Sequence, residues 1–367
     1  MPEMPVHVRV AWAGFAAGGA FGATAQRTNF CTMGAIADLA LTGRANRFRA
    51  WMLAIAVAIL GSQGLHVAGV VDLGKSIYQT PSLGWAGAIL GGLLFGFGMT
   101  LAGGCGNKTL VRVGTGNLKS LVVFLCLGIA AYATLRGLVG VARQPFEATT
   151  AIDLVKQGIP RQGLVDLLAA KLGLPAPGAR VALTLAAAGG LLAYCFRDPA
   201  FRAAPRDILG GIVIGLLVPA GWLITGVLGR DDFEPTPLAS MTFVAPIGDT
   251  LQYVMTFTGS KISFGVATVL GVVVGSGIAA LLAGEWKLEG FTDRHDMGRH
   301  MLGGVMMGVG GVLALGCTIG QGITGLSTLA AGSVIALLSI IAGGFLGMKY
   351  LEEGSLPAAI RAGFARG

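Results

Sequence analysis

Long runs of apolar residues recur along the whole chain, and polar residues are confined to the stretches between them. A helix needs about 20 apolar residues to cross the hydrocarbon core of a bilayer. The pattern therefore predicts an all-α polytopic membrane protein with about nine transmembrane helices. The predicted spans lie near residues 10–25, 48–70, 84–103, 118–140, 181–196, 208–228, 263–283, 300–315 and 332–350.

Two parts of the chain resemble each other in sequence. Residues 90–105 match residues 302–317 at a constant offset of 212, with nine identical landmark positions that end in a Gly-Cys pair. Cys31 aligns with Val244 at nearly the same offset, so this cysteine has no cysteine mate. An odd number of spans separates the halves, which would place the second half upside down in the membrane. Inverted repeats of this kind are common in secondary transporters.

The repeat divides the chain into three predicted parts, namely a first inverted repeat, a linker with a connecting helix, and a second inverted repeat. The linker begins with a Pro-rich segment of mixed charge, 141–180, which we expect to be an amphipathic connection. The first span also fits a secretory signal peptide with a small-residue cleavage site, but the repeat favours a retained helix. The predicted boundaries are 1–140, 141–205 and 206–367.

Composition supports a membrane location, since 54% of the 367 residues are hydrophobic and only 12% are charged. The net charge of +8 does not indicate nucleic-acid binding, because the basic residues lie in short clusters between the spans, where they fix topology. One side of the predicted membrane protein carries sixteen lysines and arginines and the other nine. Basic loops stay in the cytoplasm, so we expect the N-terminus outside and the C-terminus in the cytoplasm.

Two uncharged stretches are too long to be single helices. Residues 301–348 contain no charged side chain, and their middle, Gly316–Gly325, is rich in glycine, hydroxyl and amide groups. The segment Gly103–Thr109 has the same character and overlaps the end of the uncharged run 76–107. Irregular polar backbone at membrane depth is tolerated only where it packs in protein or lines a wet cavity. We therefore predict short re-entrant half-helices at both places.

A cysteine stands where each of three short helices is expected to begin: Cys31, Cys105 and Cys317. Helix starts carry unpaired N–H groups and favour anions. A thiol is a weak donor and a soft, polarizable group, so the pattern indicates a soft, sulfur-containing anion that makes successive weak contacts with neutral thiols. The polar residues expected to line this path are Thr32, Asn107, Lys108, Thr318 and Gln321.

Simpler roles are also open for these residues. Small residues beside the cysteines permit close helix packing, and Lys108 is equally suited to anchor a helix at the cytoplasmic surface. Cys126 and Cys195 lie within apolar helices, where thiols act as small hydrophobes. The 285–300 stretch holds two histidines among mixed charges, and we expect a solvated loop there rather than a metal site.

Three cysteine motifs, together with the duplicated half, resemble the YeeE/YedE family of bacterial sulfur-transport membrane proteins. The resemblance implies uptake of thiosulfate across the bacterial inner membrane, with a relay through the cysteines of the three motifs. It also implies a small soluble sulfur-carrier protein of the TusA type on the cytoplasmic side, and some relatives are linked to selenium. The motifs are 29–34 (Asn-Phe-Cys-Thr-Met-Gly), 103–106 (Gly-Gly-Cys-Gly) and 316–322 (Gly-Cys-Thr-Ile-Gly-Gln-Gly).

The sequence thus predicts a thiosulfate importer with no cofactor and no catalytic residues. The alternatives are a membrane-embedded thiol sulfurtransferase or redox protein, a transporter of sulfite or a selenium species, and a membrane scaffold for a soluble partner. The enzyme alternative lacks a Cys-x-x-Cys pair and a candidate base near the cysteines. No nucleotide-binding Gly-x-x-x-x-Gly-Lys-Ser/Thr run is present, and Asp38 and Asp249 are the candidates for proton coupling.

Overall fold

A computed structural model describes residues 4–173, 175–231, 234–291 and 293–364, and these residues are almost entirely helical. A long helix lies at each of the nine predicted positions, and short helices lie between them. The α-helices are α1 Val6–Thr28, α2 Thr32–Ala37, α3 Asn46–Val67, α4 Trp85–Leu101, α5 Gly106–Gly114, α6 Leu118–Arg136, α7 Leu138–Thr150, α8 Leu164–Leu172, α9 Ala176–Phe196, α10 Pro199–Arg202, α11 Pro205–Leu223, α12 Val244–Met255, α13 Phe264–Leu282, α14 Arg294–Leu313, α15 Ala331–Glu353 and α16 Leu356–Phe364.

Other regular segments are short. Two strands, β1 Ser82–Leu83 and β2 Ile152–Asp153, pair antiparallel. The π-helical segments are Asp38–Thr42, Ile224–Leu228 and Gly320–Gly325, and the 3₁₀ segments are Leu73–Lys75, Ile77–Gln79, Val155–Gln157 and Phe257–Gly259.

Within the described part of the chain, seven helical segments are long and apolar enough to cross a membrane. They are α3, α4 continued into α5, α6, α9, α11 with its π-helical end, α13 and α15. The other two predicted spans correspond to α1 and α14, which have 23 and 20 residues. α1 is rich in glycine and alanine, and α14 carries charged residues in its first two turns, which lowers the mean hydropathy of both helices.

The expected loop at 285–300 is shorter than predicted, because α14 begins at Arg294. Asp293 caps this helix, since its Oδ1 atom accepts a hydrogen bond from the backbone N–H of Asp296 at 2.7 Å. His300 is consequently a buried helical residue rather than a loop residue. Its Nδ1 atom lies 2.8 Å from the carbonyl oxygen of Asp296.

The Pro-rich 141–180 segment folds back onto the helical body. After α7, strand β2 pairs with β1, and α8 follows. The backbone of Gln162 accepts a hydrogen bond from Ala331 N–H at 2.9 Å, and Leu164 N–H donates to the carbonyl of Leu329 at 2.8 Å. The segment is therefore attached to the turn that leads from the Gly320–Gly325 segment into α15.

Glycines let the long helices pack at backbone contact. A Cβ atom added to Gly91 would lie 2.6 Å from the carbonyl oxygen of Gly310, and one added to Gly98 would lie 2.8 Å from that of Gly303. These contacts join α4 to α14. The other extensive helix contacts join α1 to α13, α3 to α11, α4 to α15 and α6 to α14. Contacts this close stabilise helix pairs in lipid, where the hydrophobic effect between helices is absent.

Candidate pathway of three buried cysteines

The same chain reversal precedes each of the three candidate cysteines. A helix ends, one residue adopts a left-handed conformation, and the cysteine follows two positions later at the start of a new helical segment. Such left-handed residues commonly end helices, and the cost is small for Gly and Asn. The left-handed residues are Asn29 (φ 52°), Gly103 (φ 67°) and Leu315 (φ 58°).

Each cysteine lies at or just before the start of a helical segment, as the sequence predicted. Cys31 precedes α2, Cys105 precedes α5, and Cys317 precedes the π-helical segment Gly320–Gly325 by a turn. In all three places the cysteine carbonyl accepts a hydrogen bond from the residue four positions later, at 2.8–2.9 Å. The three motifs thus build three copies of one local structure.

The structure brings the three cysteines together in the protein interior. Cys105 and Cys317 are fully buried, and the side chain of Cys31 is 8% exposed. The thiols of Cys31 and Cys105 are neighbours, and Cys105 also has the hydroxyl of Thr318 beside it. Cys105 therefore lies between Cys31 and Thr318, the residue that follows Cys317.

Each thiol is positioned by a neighbouring polar group. The Sγ atom of Cys31 accepts the backbone N–H of Gly34 at 3.5 Å, and that of Cys317 accepts the N–H of Gly320 at 3.3 Å. Cys105 donates its S–H to the Oδ1 atom of Asn107 at 2.6 Å. A thiol that accepts a backbone N–H retains its own S–H for donation. Cys31 and Cys317 can therefore still donate to a ligand.

One polar neighbour of each cysteine is buried without a partner. Within the described residues, Thr32 Oγ1, Asn107 Nδ2 and Thr318 Oγ1 make no hydrogen bond. All three side chains are at most 2% exposed. An unsatisfied buried polar group costs about 1–3 kcal/mol, and native proteins seldom leave one unexplained. Three such groups, one beside each cysteine, indicate a place where a polar ligand or water completes the hydrogen bonding.

The two remaining predicted site residues have partners. Lys108, half-buried on α5, donates to the Oδ1 atom of Asn29 at 2.7 Å. Gln321 is held at both ends of its amide, since Nε2 donates to the carbonyl of Ala314 and Oε1 accepts from Ser333 Oγ at 2.6 Å. Lys108 therefore connects the motifs of Cys105 and Cys31, whereas Gln321 joins the end of α14 to α15.

Basic side chains surround the Cys31 and Cys105 motifs. Arg47 lies against Gly34 and forms an ion pair with Asp38 at 3.3 Å. Arg112 Nη1 donates to the carbonyl of Gly103 at 2.9 Å. Arg112 also lines a polar cavity of about 240 Å³, with Asn117, Lys119, Ser120, Glu289, Asp296, Arg299 and His300.

Tyr78 belongs to the surroundings of Cys317, although no sequence motif marks it. Its hydroxyl would lie 3.5 Å from a Cβ atom on Gly320, beside Thr242. Burial raises the pKa of the Tyr78 phenol well above its ordinary value, so the group keeps its proton. The residue stands in a short 3₁₀ turn between two spans, outside every recognisable motif, and only tertiary packing brings it to the cysteine.

Replacing Thr318 by Val is expected to stabilise the substrate-free protein while weakening substrate binding. The substitution removes a buried hydroxyl that has no partner in the described residues, which relieves a penalty of about 1–3 kcal/mol. Loss of one hydrogen bond should weaken affinity about three- to tenfold. Thermal melting and uptake kinetics of the purified variant measure both effects.

The matched control is Thr134→Val, since the Thr134 hydroxyl is buried but bonded to the carbonyl of Ala130 at 2.7 Å. This variant should gain no stability and keep its affinity. A Thr318→Val protein that melts earlier than the parent would show that the hydroxyl is satisfied in the free protein.

Fold and site together define a polytopic helical membrane protein with a thiol-lined polar interior. The Sulphur transport family matches residues 27–346, and the chain belongs to this family. The predicted family is thereby confirmed.

Two of its relatives are thiosulfate transporters named TsuA. The chain is 27% identical to TsuA of Escherichia coli (strain K12) over 319 residues, which cover 84% of the chain and 86% of that protein. It is 27% identical to TsuA of Spirochaeta thermophila over 330 residues, which cover 87% of the chain and 92% of that protein. A stretch of 100 residues is 37% identical to the probable transporter YedE of Salmonella typhimurium and covers 27% of the chain and 23% of that protein.

Proposed function

We propose that this protein imports thiosulfate across the bacterial inner membrane. The observation that carries the proposal is the buried, unpaired donor beside each cysteine: in the described residues Thr32, Asn107 and Thr318 each leave one polar atom without a partner. Similarity to two thiosulfate transporters over more than four-fifths of the chain supports the choice of substrate.

The chemistry of the site suits this ion. Thiosulfate is a dianion with oxygens that accept hydrogen bonds and a terminal sulfur that is soft and polarizable. The hydroxyls of Thr32 and Thr318 and the amide of Asn107 can donate to the oxygens, while the thiols offer weak S–H contacts to the terminal sulfur. Neutral donors bind a dianion less tightly than paired cations would. Weak, successive sites allow the ion to leave as well as to enter.

We infer that the ion meets Cys317 first, then Cys105, then Cys31. With the N-terminus outside, α1 and α4 run inward and deliver Cys31 and Cys105 to the cytoplasmic half, while α14 runs outward and delivers Cys317 to the outer half. The contacts support this order, because Cys105 lies beside Cys31 and beside Thr318 of the Cys317 motif. The basic residues near Cys31 and Cys105 would then attract the anion toward the cytoplasm.

An inverted repeat accounts for the helix packing. The repeat pairs α1 with α11, α3 with α13, α4 with α14 and α6 with α15. Under this pairing the α1–α13 contact corresponds to the contact of α11 with α3, and the α4–α15 contact corresponds to that of α14 with α6. All four contacts occur. The α4–α14 contact maps onto itself, since Gly91 meets Gly310 and Gly303 meets Gly98. In this arrangement α1 and α14 also cross the membrane, which brings the number of spans from seven to nine. The segments α2, α5, α12 and Gly320–Gly325 are then re-entrant elements.

The energy source and soluble partner stay predictions. Asp38 forms an ion pair with Arg47 at 3.3 Å, and together with Asp249 it stays the predicted candidate for proton coupling. A TusA-type sulfur carrier at the cytoplasmic side follows from the family resemblance, and the polar surface of mixed charge around Arg112 and Arg299 is where we expect it.

Growth on thiosulfate tests the proposal. A bacterial host that lacks its own thiosulfate importers is supplied with thiosulfate as sole sulfur source and expresses this chain at a controlled level. We expect growth and accumulation of ³⁵S from labelled thiosulfate. Growth on sulfite but not on thiosulfate would contradict the proposed substrate and leave the architecture standing.

A further inference from the structure

The indole N–H of Trp51 is another buried donor that has no partner among the described residues. Trp51 lies on α3 and is 1% exposed, and its Nε1 atom makes no hydrogen bond with any residue that the structure describes. The buried indole of Trp222 differs, since its Nε1 atom donates to Ser327 Oγ at 3.4 Å. Burying an indole N–H without an acceptor carries the same penalty as burying an unpaired hydroxyl.

The position of the ring connects Trp51 to the Cys317 motif. A Cβ atom added to Gly322 would lie 2.3 Å from Cη2 and 2.7 Å from Cζ2 of Trp51. The ring therefore lies against the motif backbone, and the edge that meets Gly322 is the one adjoining Nε1. The N–H of Gly322 donates to the carbonyl of Thr318 at 2.9 Å. The indole ring thus packs against Gly322, one helical turn from Thr318, whose hydroxyl is unpaired among the described residues.

The same face of α3 also meets the Cys31 motif. Arg47 lies one helical turn before Trp51, and residues four apart share a helix face. The Arg47 guanidinium lies 2.9 Å from where a Cβ atom of Gly34 would be. Ala50, the residue before Trp51, lies near Cys31 and Arg47. The part of α3 that carries Trp51 therefore lies between the motifs of Cys31 and Cys317.

We propose that the Trp51 indole N–H, placed between these two motifs, donates a hydrogen bond to an oxygen of the transported anion. The inference rests on the proposed transport function and extends it to a residue outside the three motifs. An indole N–H can donate a hydrogen bond but cannot accept one, so it favours binding of an anion with acceptor oxygens. Gly322 determines the position of this donor, because any side chain there would displace the ring.

Trp51→Phe removes the N–H donor but keeps an aromatic ring against Gly322, so it distinguishes loss of the hydrogen bond from loss of packing. Uptake of ³⁵S-thiosulfate is measured in proteoliposomes, with KM and maximal rate determined separately at equal protein content. We expect KM to rise at least about tenfold, as loss of one hydrogen bond to a charged ligand implies. Trp222→Phe serves as control, because it removes an indole N–H that already has a protein partner, and its KM should match the parent.

Titration of the ¹⁵N-labelled protein with thiosulfate reports on the indole N–H signal of Trp51, which would not change if Trp51 served only in packing. The indole N–H signal that disappears in Trp51→Phe should shift on binding. An unchanged KM in Trp51→Phe, or a stationary Trp51 signal at saturating thiosulfate, would overturn the inference while the proposed function stands. A parent protein that neither binds nor transports thiosulfate would overturn the proposed function, and the inference with it.

Discussion

Cys105→Ala is expected to reduce thiosulfate uptake by at least about tenfold, which corresponds to 1.4 kcal/mol of lost stabilisation in the pathway. Cys105 is fully buried and lies beside Cys31 and Thr318, so an ion that follows the proposed path from Cys317 to Cys31 must meet it. Alanine also removes the donor to Asn107 Oδ1. The measurement is the initial rate of ³⁵S uptake in cells with matched amounts of protein.

Cys126→Ala is the control for this experiment. Cys126 lies on α6 with its Cβ atom against Gly304, away from the three motifs, and alanine keeps that Cβ atom. Uptake by Cys126→Ala should equal uptake by the parent. A Cys105→Ala protein that transports at the parental rate would show that the central thiol is not a contact of the ion.

Gly275→Val is expected to prevent accumulation of folded protein. A Cβ atom at this position of α13 would lie 2.1 Å from the carbonyl oxygen of Gly19 and 2.6 Å from its Cα atom on α1. Backbone atoms cannot move aside as a side chain can, so the helices must separate. Overpacking a tight core costs about 1–3 kcal/mol, and we expect the upper end of that range. Yield of monodisperse protein and its thermal melting in detergent measure the effect.

Gly190→Val provides the comparison within another helix. On α9, a Cβ atom at Gly190 meets nothing within 4 Å among the residues described, so valine there should leave yield and melting nearly unchanged. Equal yields of the two variants would mean that α1 and α13 do not pack at backbone contact.

Much of this architecture could be predicted from the sequence because its signals are local. Apolar run length predicted where the long helices lie, and the repeated Gly-Cys pairs predicted helix starts at Cys105 and Cys317. The helix start at Arg294 was missed because hydropathy is insensitive to a capping residue such as Asp293, whose carboxylate begins the helix ahead of the apolar run.

The composition of the site could be predicted only in part. Cys31, Cys105 and Cys317 were recognised from their motifs, but the contact between Cys31 and Cys105 depends on how α2 and α5 pack, which no local pattern encodes. Tyr78 and Trp51 lie in a turn and in an apolar helix, where aromatic residues are ordinary. Trp51 stands out only through its burial and its missing partner among the described residues, and Tyr78 only through its packing beside Gly320.

Exchange of labelled thiosulfate in proteoliposomes tests the central claim most directly, because it needs no energy source and no soluble partner. Vesicles that contain the purified protein and unlabelled internal thiosulfate are diluted into ³⁵S-thiosulfate. We predict rapid entry of label through the parent protein, entry at least about tenfold slower through Cys105→Ala, and no inhibition by excess sulfate, which lacks the soft terminal sulfur. Entry of label no faster than in protein-free vesicles would contradict the claim that this chain carries thiosulfate.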